Sequence, residues 1–228
     1  MNNVLLIDKP TDWTSFDVVA KIRGEARRIS GNKKIKVGHA GTLDPFATGL
    51  LIVLVGKENT AQQDSFMKQD KEYLATLKLG FTSTTGDPEG IISSQELVAS
   101  SKPKTPSQEA IVAALGALSG EITQIPPIYS AIKVDGKRAY KLAREGHSVV
   151  MKPRNVTIHE LELTECEYPE LRIRVKCSSG TYIRTLAEDI GKELGCGAYL
   201  TELRRTKIGE YDIKDALSID EALKALPS

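Results

Sequence analysis

The spacing of apolar residues along the chain predicts helices and strands that follow one another without strict alternation. Apolar positions at helical spacing or suitable capping residues predict helices over residues 15–29, 106–118 and 181–194. Ser15 and Thr105 are predicted to cap the first two helices, and Gly195 to end the third. Alternating or continuous apolar runs predict strands over residues 4–7, 50–55, 72–79, 156–168 and 171–176. The pattern therefore favours an α+β, or mixed α/β, fold built on a largely antiparallel sheet flanked by helices.

The chain has 228 residues and neither an internal repeat nor a long linker, which favours a single domain spanning residues 1–228. Residues 126–154 begin with a proline pair, and they contain a predicted strand over residues 130–134 and a basic helix over residues 137–145. This stretch is interpreted as a basic insertion carried on the sheet.

Charge is balanced overall but segregated along the chain. Lysine and arginine number 31 against 30 acidic residues, a net charge of +1. Seven basic residues and one acid lie in 21–36, seven basic residues and two acids lie in 133–154, and residues 160–170 hold five glutamates. Two basic segments suit a polyanion such as RNA, and we expect them to flank one cleft. Two solvated helical faces explain the same charges equally well.

Several classes of protein lack their sequence signals here. The longest aliphatic run, residues 50–55, is too short to span a bilayer, and the amino terminus lacks a secretory pattern. Three cysteines without a CxxC pair favour a reducing compartment, so we expect the protein in the cytoplasm. Phosphate-binding glycine motifs are missing, and the three histidines lack partners at metal-ligand spacing. A metal site is not expected.

Residues 38–51, GHAGTLDPFATGLL, combine three glycines with a single acid, Asp44, just before a predicted buried strand. Glycines permit positive φ angles and close backbone approach, which suits a loop that presents a reactive carboxylate. A purely structural interpretation is equally open at this point, because Asp44 could cap a helical turn beginning at Pro45. The two interpretations are compatible.

Four segments together resemble the TruB family of pseudouridine synthases, which modify the T-loop uridine of tRNA. Residues 38–51 are similar to the family's catalytic-aspartate motif, and the other matches follow its order. They are residues 6–15 (the Lys-Pro motif), residues 124–140 (the central motif), and residues 177–184 with 203–205 (the late motif). The resemblance covers residues 6–206, nearly the whole chain.

The resemblance implies a fold, a reaction and roles for particular residues. The enzyme would be an isomerase that converts uridine to pseudouridine at position 55 of tRNA without a cofactor. Asp44 would be the catalytic aspartate, Arg184 its partner, and Tyr73 a base-stacking residue whose hydroxyl could assist proton transfer. His39 would occupy space beside the displaced uridine, and Tyr182 and Leu203 would line its pocket. The expected partner is the T-arm of tRNA, with no DNA or membrane, and the expected state is a monomer.

Only 22 residues follow the last motif, so the small RNA-binding PUA domain that many relatives append is not expected. RNA affinity would then depend on the basic segments.

Alternatives remain open at the level of single residues and of function. Arg184 could instead form a surface pair with Glu188, and Tyr73 could be an ordinary core tyrosine. The sequence does not decide whether Asp44 attacks the base, attacks C1′ or removes the ribose 2′ proton. An RNA-binding module without catalysis is a second hypothesis. A glycoside hydrolase or nucleosidase is a third, although that chemistry usually uses two opposed carboxylates.

Overall fold

The computed structural model describes residues 1, 3–94, 105–130, 132–134 and 136–227. Its strands are β1 (Asn3–Lys9), β2 (Val37–Ala40), β3 (Thr48–Val55), β4 (Lys71–Leu79), β5 (Phe81–Ser83), β6 (Ile92–Ser94), β7 (Gly120–Gln124), β8 (Lys133–Val134), β9 (Lys137–Arg138), β10 (Arg154–Glu167), β11 (Glu170–Cys177), β12 (Ala198–Ile208) and β13 (Tyr211–Asp212). Its helices are α1 (Ser15–Ser30), α2 (Lys57–Ala61), α3 (Gln63–Met67), α4 (Gln108–Ala117), α5 (Ala139–Arg144), α6 (Ile183–Glu193) and α7 (Ile219–Lys224), with a 3-10 turn at Ile213–Asp215. None of the helices in these ranges is long and apolar enough to cross a membrane.

The chain divides into two compact units. The first comprises Met1–Leu74 and Glu202–Ser228, and the second comprises Ala75–Thr201. Strands β4 and β12 each run from one unit into the other. The predicted mixed α/β fold with a mostly antiparallel sheet is confirmed.

Strand β3 is the centre of the first unit. It pairs antiparallel with β1, from Asn3 opposite Val55 to Lys9 opposite Gly49, and antiparallel with β2. At its beginning it also pairs in parallel with β12, where Arg204 and Arg205 lie opposite Thr48 and Gly49. Strand β13 extends this arrangement by pairing with β12.

The continuous aliphatic run predicted as a buried strand is buried because β3 has a hydrophobic cluster on each face. Leu51, Val53 and Val55 pack in one cluster with apolar residues of α1 and α7. Leu50, Ile52 and Leu54 pack in another with Phe66 and Ile208. Burial on both faces removes the polar alternation that a half-exposed strand would show.

Helix α1 begins at Ser15 as predicted, but its cap is Thr14. The Thr14 hydroxyl accepts a hydrogen bond from the Asp17 backbone N–H at 3.0 Å, and the Asp17 carboxylate accepts one from the Thr14 N–H at 2.9 Å. This reciprocal pair is a capping box. The prediction of Ser15 as the cap is wrong, because its side chain is buried and turned towards the loop that carries Asp44.

In the second unit, the sheet order is β4, β11, β10 and β7, and β10 pairs antiparallel with both neighbours. Helix α4 packs against β10 and α6. It begins two residues later than predicted, because Ser107 rather than Thr105 is its cap and accepts from the Ala110 N–H at 3.3 Å.

The predicted insertion contains less regular structure than its sequence suggests. The strand expected over residues 130–134 is reduced to β8, which pairs with β9, and the basic helix is the six-residue α5. Ala131 and Asp135 lie outside the described residues.

The glutamate-rich stretch on β10 has its basic partners on the next strand. Arg174 lies 3.0 Å from Glu160 and 2.7 Å from Glu162, and Arg172 lies 2.5 Å from Glu165. These side chains are largely exposed, so each pair contributes roughly 0–1 kcal/mol. Glu160, Glu162 and Glu165 are thus paired across this hairpin with arginines that lie outside the two basic segments.

Candidate active site

Asp44 lies in the loop between β2 and β3 and is half-buried. After it the chain makes one tight turn, in which the Ala47 N–H donates to the Asp44 carbonyl at 3.1 Å, and enters β3 at Thr48. The structural interpretation of a turn beginning at Pro45 is met by this one hydrogen-bonded turn over Pro45 and Phe46, and a cap by the Asp44 side chain stays a prediction. The carboxylate is carried by a short turn that the surrounding residues hold in place.

The end of β1 holds this turn from one side. The buried Lys9 ammonium donates to three carbonyls: those of Trp13 at 2.6 Å, Pro10 at 2.8 Å and Pro45 at 3.2 Å. The Asp12 N–H also donates to the Pro45 carbonyl, at 3.0 Å. The Lys-Pro segment thus binds the residue that directly follows Asp44.

Lys9 also sets the electrostatics beneath the loop. Burial lowers the pKa of its ammonium from 10.5 to about 8, and the negative charge of Asp44 opposes that decrease most strongly among the neighbouring carboxylates. Near pH 7 the side chain is still mostly protonated. A buried positive charge close to Asp44 favours the ionised carboxylate.

Ser15 holds the loop from α1. Its hydroxyl accepts from the Leu43 N–H at 2.9 Å and donates to the Leu43 carbonyl at 3.1 Å, and its side chain is buried. Both backbone groups of the residue before Asp44 are satisfied by this one hydroxyl.

Arg205 binds the two ends of the same segment. Its guanidinium donates to the Gly41 carbonyl at 3.0 Å and to the Leu50 carbonyl at 2.8 Å, and only 1% of the residue is exposed. The backbone of Arg205 also lies close to Gly49. This position requires glycine, because φ is +102° and an added Cβ would lie 2.3 Å from the Arg205 carbonyl oxygen. Sequence reasoning missed these contacts of Arg205, which join residues 155 and 164 positions apart.

His39 lies on β2 and is partly buried. Its carbonyl accepts from the Gln63 side-chain amide at 2.9 Å. Burial, and after it the positive charge of Arg205, lower the pKa of the imidazole from its ordinary value of 6.5, which favours the neutral ring. Within the described part of the chain, its Nδ1 is buried without a hydrogen-bond partner.

Tyr73 and Leu203 are buried residues of β4 and β12. Close to these two residues in sequence, a hydrogen bond joins the two strands: the Thr206 hydroxyl donates to the Glu72 carboxylate at 2.8 Å. The alternating burial predicted for residues 72–79 places Tyr73, Ala75, Leu77 and Leu79 inside. Base stacking by Tyr73 and pocket lining by Leu203 stay predictions.

Arg184 lies in the first turn of α6, in the second unit, and is buried. Its guanidinium lies 3.2 Å from the Asp87 carboxylate and donates to the carbonyls of Thr85 at 3.1 Å and Tyr129 at 2.9 Å. Asp87 is almost fully buried as well and accepts from the Glu89 N–H at 3.0 Å. The interpretation of Arg184 as half of a surface pair with Glu188 is wrong.

Tyr182 is positioned by Gln124, at the end of β7. The Gln124 side-chain oxygen accepts from the Tyr182 N–H at 3.0 Å, and its amide donates to the Tyr182 carbonyl at 3.3 Å. Gln124 is almost fully buried. These two hydrogen bonds fix the backbone of Tyr182, just before α6, and therefore the point from which its ring projects.

The predicted site residues divide between the units. His39, Asp44, Tyr73 and Leu203 belong to the first unit, and Tyr182 and Arg184 belong to the second. Within the first unit, Arg205 joins the Asp44 loop to β12, the strand of Leu203. The pairing of Arg184 with Asp44 stays a prediction.

The comparisons with known proteins agree with the motifs. The model of the "TruB family pseudouridylate synthase (N terminal domain)" matches residues 27–183, and that of the "tRNA pseudouridylate synthase B C-terminal domain" matches residues 184–227. The tRNA pseudouridine synthase B of Phocaeicola vulgatus is 51% identical over 217 residues, which cover 95% of this chain and 90% of the relative. The protein of the same name from Parabacteroides distasonis is 50% identical over 218 residues, 96% of this chain and 90% of the relative.

A solved structure is similar in fold. The crystal structure of a Cbf5-Nop10-Gar1 complex contains a chain that matches with a TM-score of 0.69 and 28% identity, over 97% of this chain and 53% of that one. Fold and sequence together define a pseudouridine synthase. The chain belongs to the TruB family, and it isomerises uridine to pseudouridine in tRNA.

Proposed function

We propose that the enzyme acts on the T-loop uridine at position 55 of tRNA, with Asp44 as its catalytic aspartate. One observation carries this proposal: buried side chains from three parts of the first unit, Lys9, Ser15 and Arg205, bind the backbone around Asp44. Asp44 itself is left half-exposed. A reactive group held by its surroundings, rather than by its own burial, suits a substrate that must reach it.

The chemistry of the isomerisation matches a single ionised carboxylate. The C1′–N1 bond breaks, the uracil rotates, C5 joins C1′, and the C5 proton is lost while N1 becomes protonated, so product and substrate have the same composition. The Asp44 carboxylate would attack C1′ or the base, or remove the ribose 2′ proton. Each route needs the ionised form, which the buried Lys9 ammonium favours.

Arg184 is proposed as the partner of Asp44, as the resemblance implies. The bonds that its guanidinium donates to Asp87 and to two carbonyls fix its position, so it would bind the Asp44 carboxylate without losing further side-chain freedom. The plane of five donors on a guanidinium permits bonds to more than one acceptor.

The target uridine must leave its stack before it can react, at a cost of a few kcal/mol. We propose that Tyr73 stacks on the displaced base, that Tyr182 and Leu203 line its pocket, and that neutral His39 fills the space beside it. An uncharged imidazole is suited to packing beside a base. The phenol hydroxyl of Tyr73 would assist the transfer of the C5 proton.

The proposed partner is the T-arm of tRNA, bound by a monomer in the cytoplasm. A single chain supplies every proposed site residue, which supports the monomer. Its three cysteines are free, as a reducing compartment favours. The basic segments 21–36 and 133–154 would contact the phosphates.

The substrate position is tested by locating pseudouridine in total tRNA from cells with and without this protein, using a mass-tagging reagent. We expect loss of the tag at position 55 alone when the protein is missing. An unchanged tag at position 55 would overturn the proposed substrate. A purified chain that binds tRNA but forms no pseudouridine would favour the RNA-binding module.

A further inference from the structure

Phe16 is the most exposed aromatic side chain in the part of the chain that the structure describes, with 61% of its surface accessible. It lies in the first turn of α1, next to Ser15. Isolated exposed apolar side chains are common on proteins, so exposure alone indicates nothing. Two features give it meaning: the side chain that its ring contacts, and the loop that the start of α1 holds.

The first neighbour is Arg23, two helical turns further along α1. Its guanidinium carbon lies 5.4 Å from the centre of the Phe16 ring, a cation–π contact. The pair is therefore a preformed surface of one aromatic ring and one planar cation. Unpaired RNA bases stack on both kinds of surface.

The second feature is the Asp44 loop, which is bound by the adjacent Ser15. Ser15 binds both backbone groups of Leu43, so the residue before Phe16 touches the residue before Asp44. The start of α1 is therefore joined to the loop that carries Asp44. Arg23 and the exposed Arg27 on the same helix both belong to the basic segment 21–36.

We propose that Phe16 and Arg23 form a stacking site for one unpaired nucleotide of the RNA, other than the uridine that is isomerised. This inference rests on the proposed function, since it assumes an RNA loop at Asp44. The Phe16 ring supplies the stacking face, and Arg23 holds the ring in place and adds charge. The site would orient the loop so that the target uridine lies beside Asp44.

The test uses the full chain and an unmodified T-arm stem-loop RNA, with binding and turnover measured separately. The F16A substitution is expected to weaken binding about tenfold, within the range for the loss of one base–aromatic stack. The F16W substitution restores binding, because it keeps an aromatic face. R23Q weakens binding more than K21Q, a matched control that removes one charge from the same helix away from Phe16. Thermal unfolding checks that each variant is folded.

A set of RNAs, each with one abasic unpaired nucleotide, identifies the stacked base. The F16A effect should disappear with one abasic RNA and persist with the others. Equal binding by F16A and wild type, an F16W variant as weak as F16A, or an F16A effect of the same size on every RNA would each overturn the stacking site. The last pattern would indicate a structural role for Phe16.

These outcomes are distinct from a failure of the proposed function. A wild-type chain that binds the stem-loop but does not convert its uridine would contradict the proposed substrate. RNA binding by the wild type and the variants could still be compared, so the stacking site would still be tested. A wild-type chain that does not bind the stem-loop would overturn both.

Discussion

The guanidinium of Arg184 and the carboxylate of Asp87 form an ion pair at 3.2 Å in which both side chains are almost fully buried. Removing one partner of such a pair leaves an uncompensated buried charge. We therefore expect D87A to lower the free energy of unfolding by roughly 3–5 kcal/mol. Urea-induced unfolding measures the change.

The control for this prediction is E162Q, which removes one carboxylate from the exposed pairs of β10. It should cost no more than about 1 kcal/mol. The double variant D87A/R184M should recover part of the loss, since it removes the orphaned charge. If D87A is as stable as E162Q, the buried pair does not stabilise this unit.

The buried Lys9 ammonium predicts a pH dependence of stability. Its pKa is about 8 in the folded chain against an ordinary value of 10.5, so between these pH values the unfolded chain holds a proton that the folded chain has released. Stability then rises with pH across this window, by up to roughly 3 kcal/mol from this group. The K9M substitution should abolish that contribution. Parallel curves for wild type and K9M between pH 8 and 10.5 would show that the pKa of Lys9 is not lowered.

Two glycines give opposite predictions for the same substitution. G49A places a Cβ 2.3 Å from the Arg205 carbonyl oxygen at a φ of +102°, so we expect marked destabilisation and loss of turnover. G24A meets nothing within 4 Å in the middle of α1 and should stabilise the chain by about 1 kcal/mol. Thermal unfolding of both variants checks the pair. A G49A variant with wild-type stability and turnover would show that the close approach of Arg205 is unnecessary.

The Ser15 hydroxyl predicts a link between α1 and catalysis. S15A leaves the Leu43 N–H and carbonyl without their partner, at a cost of about 1–3 kcal/mol, and frees the loop that positions Asp44. We expect a lower kcat on tRNA at saturating substrate. S119A removes a hydroxyl that donates to the Leu115 carbonyl at the end of α4, and should leave kcat unchanged. Equal kcat for wild type and S15A would mean that this contact does not position the aspartate.

The sequence predicts much of this fold because its strongest patterns are local. The aliphatic run of β3 and the alternation of β4 each specify an element without reference to distant residues. The prediction of Ser15 as the cap fails because Thr14, directly before it, also has a hydroxyl. The spacing of Thr14 and Asp17 is the capping-box signal that distinguishes them.

The site contains contacts that local patterns do not encode. Asp87 meets Arg184 across 97 residues, and Arg205 meets Gly41 across 164, so neither pair has a spacing signal. The family resemblance points to Asp44 and Arg184 as candidates but does not say which residues hold them in place. The buried positions of Lys9, Ser15 and Arg205 come only from the folded chain.

The central claim, that Asp44 carries the isomerisation, is tested most directly by pseudouridine formation on an unmodified tRNA transcript by D44N. D12N is the matched control, since Asp12 is another carboxylate that acts on Lys9, and asparagine tolerates its φ of +63°. We predict that D44N folds and binds the transcript but forms no pseudouridine, while D12N retains turnover. Turnover by D44N at the wild-type rate would contradict the account.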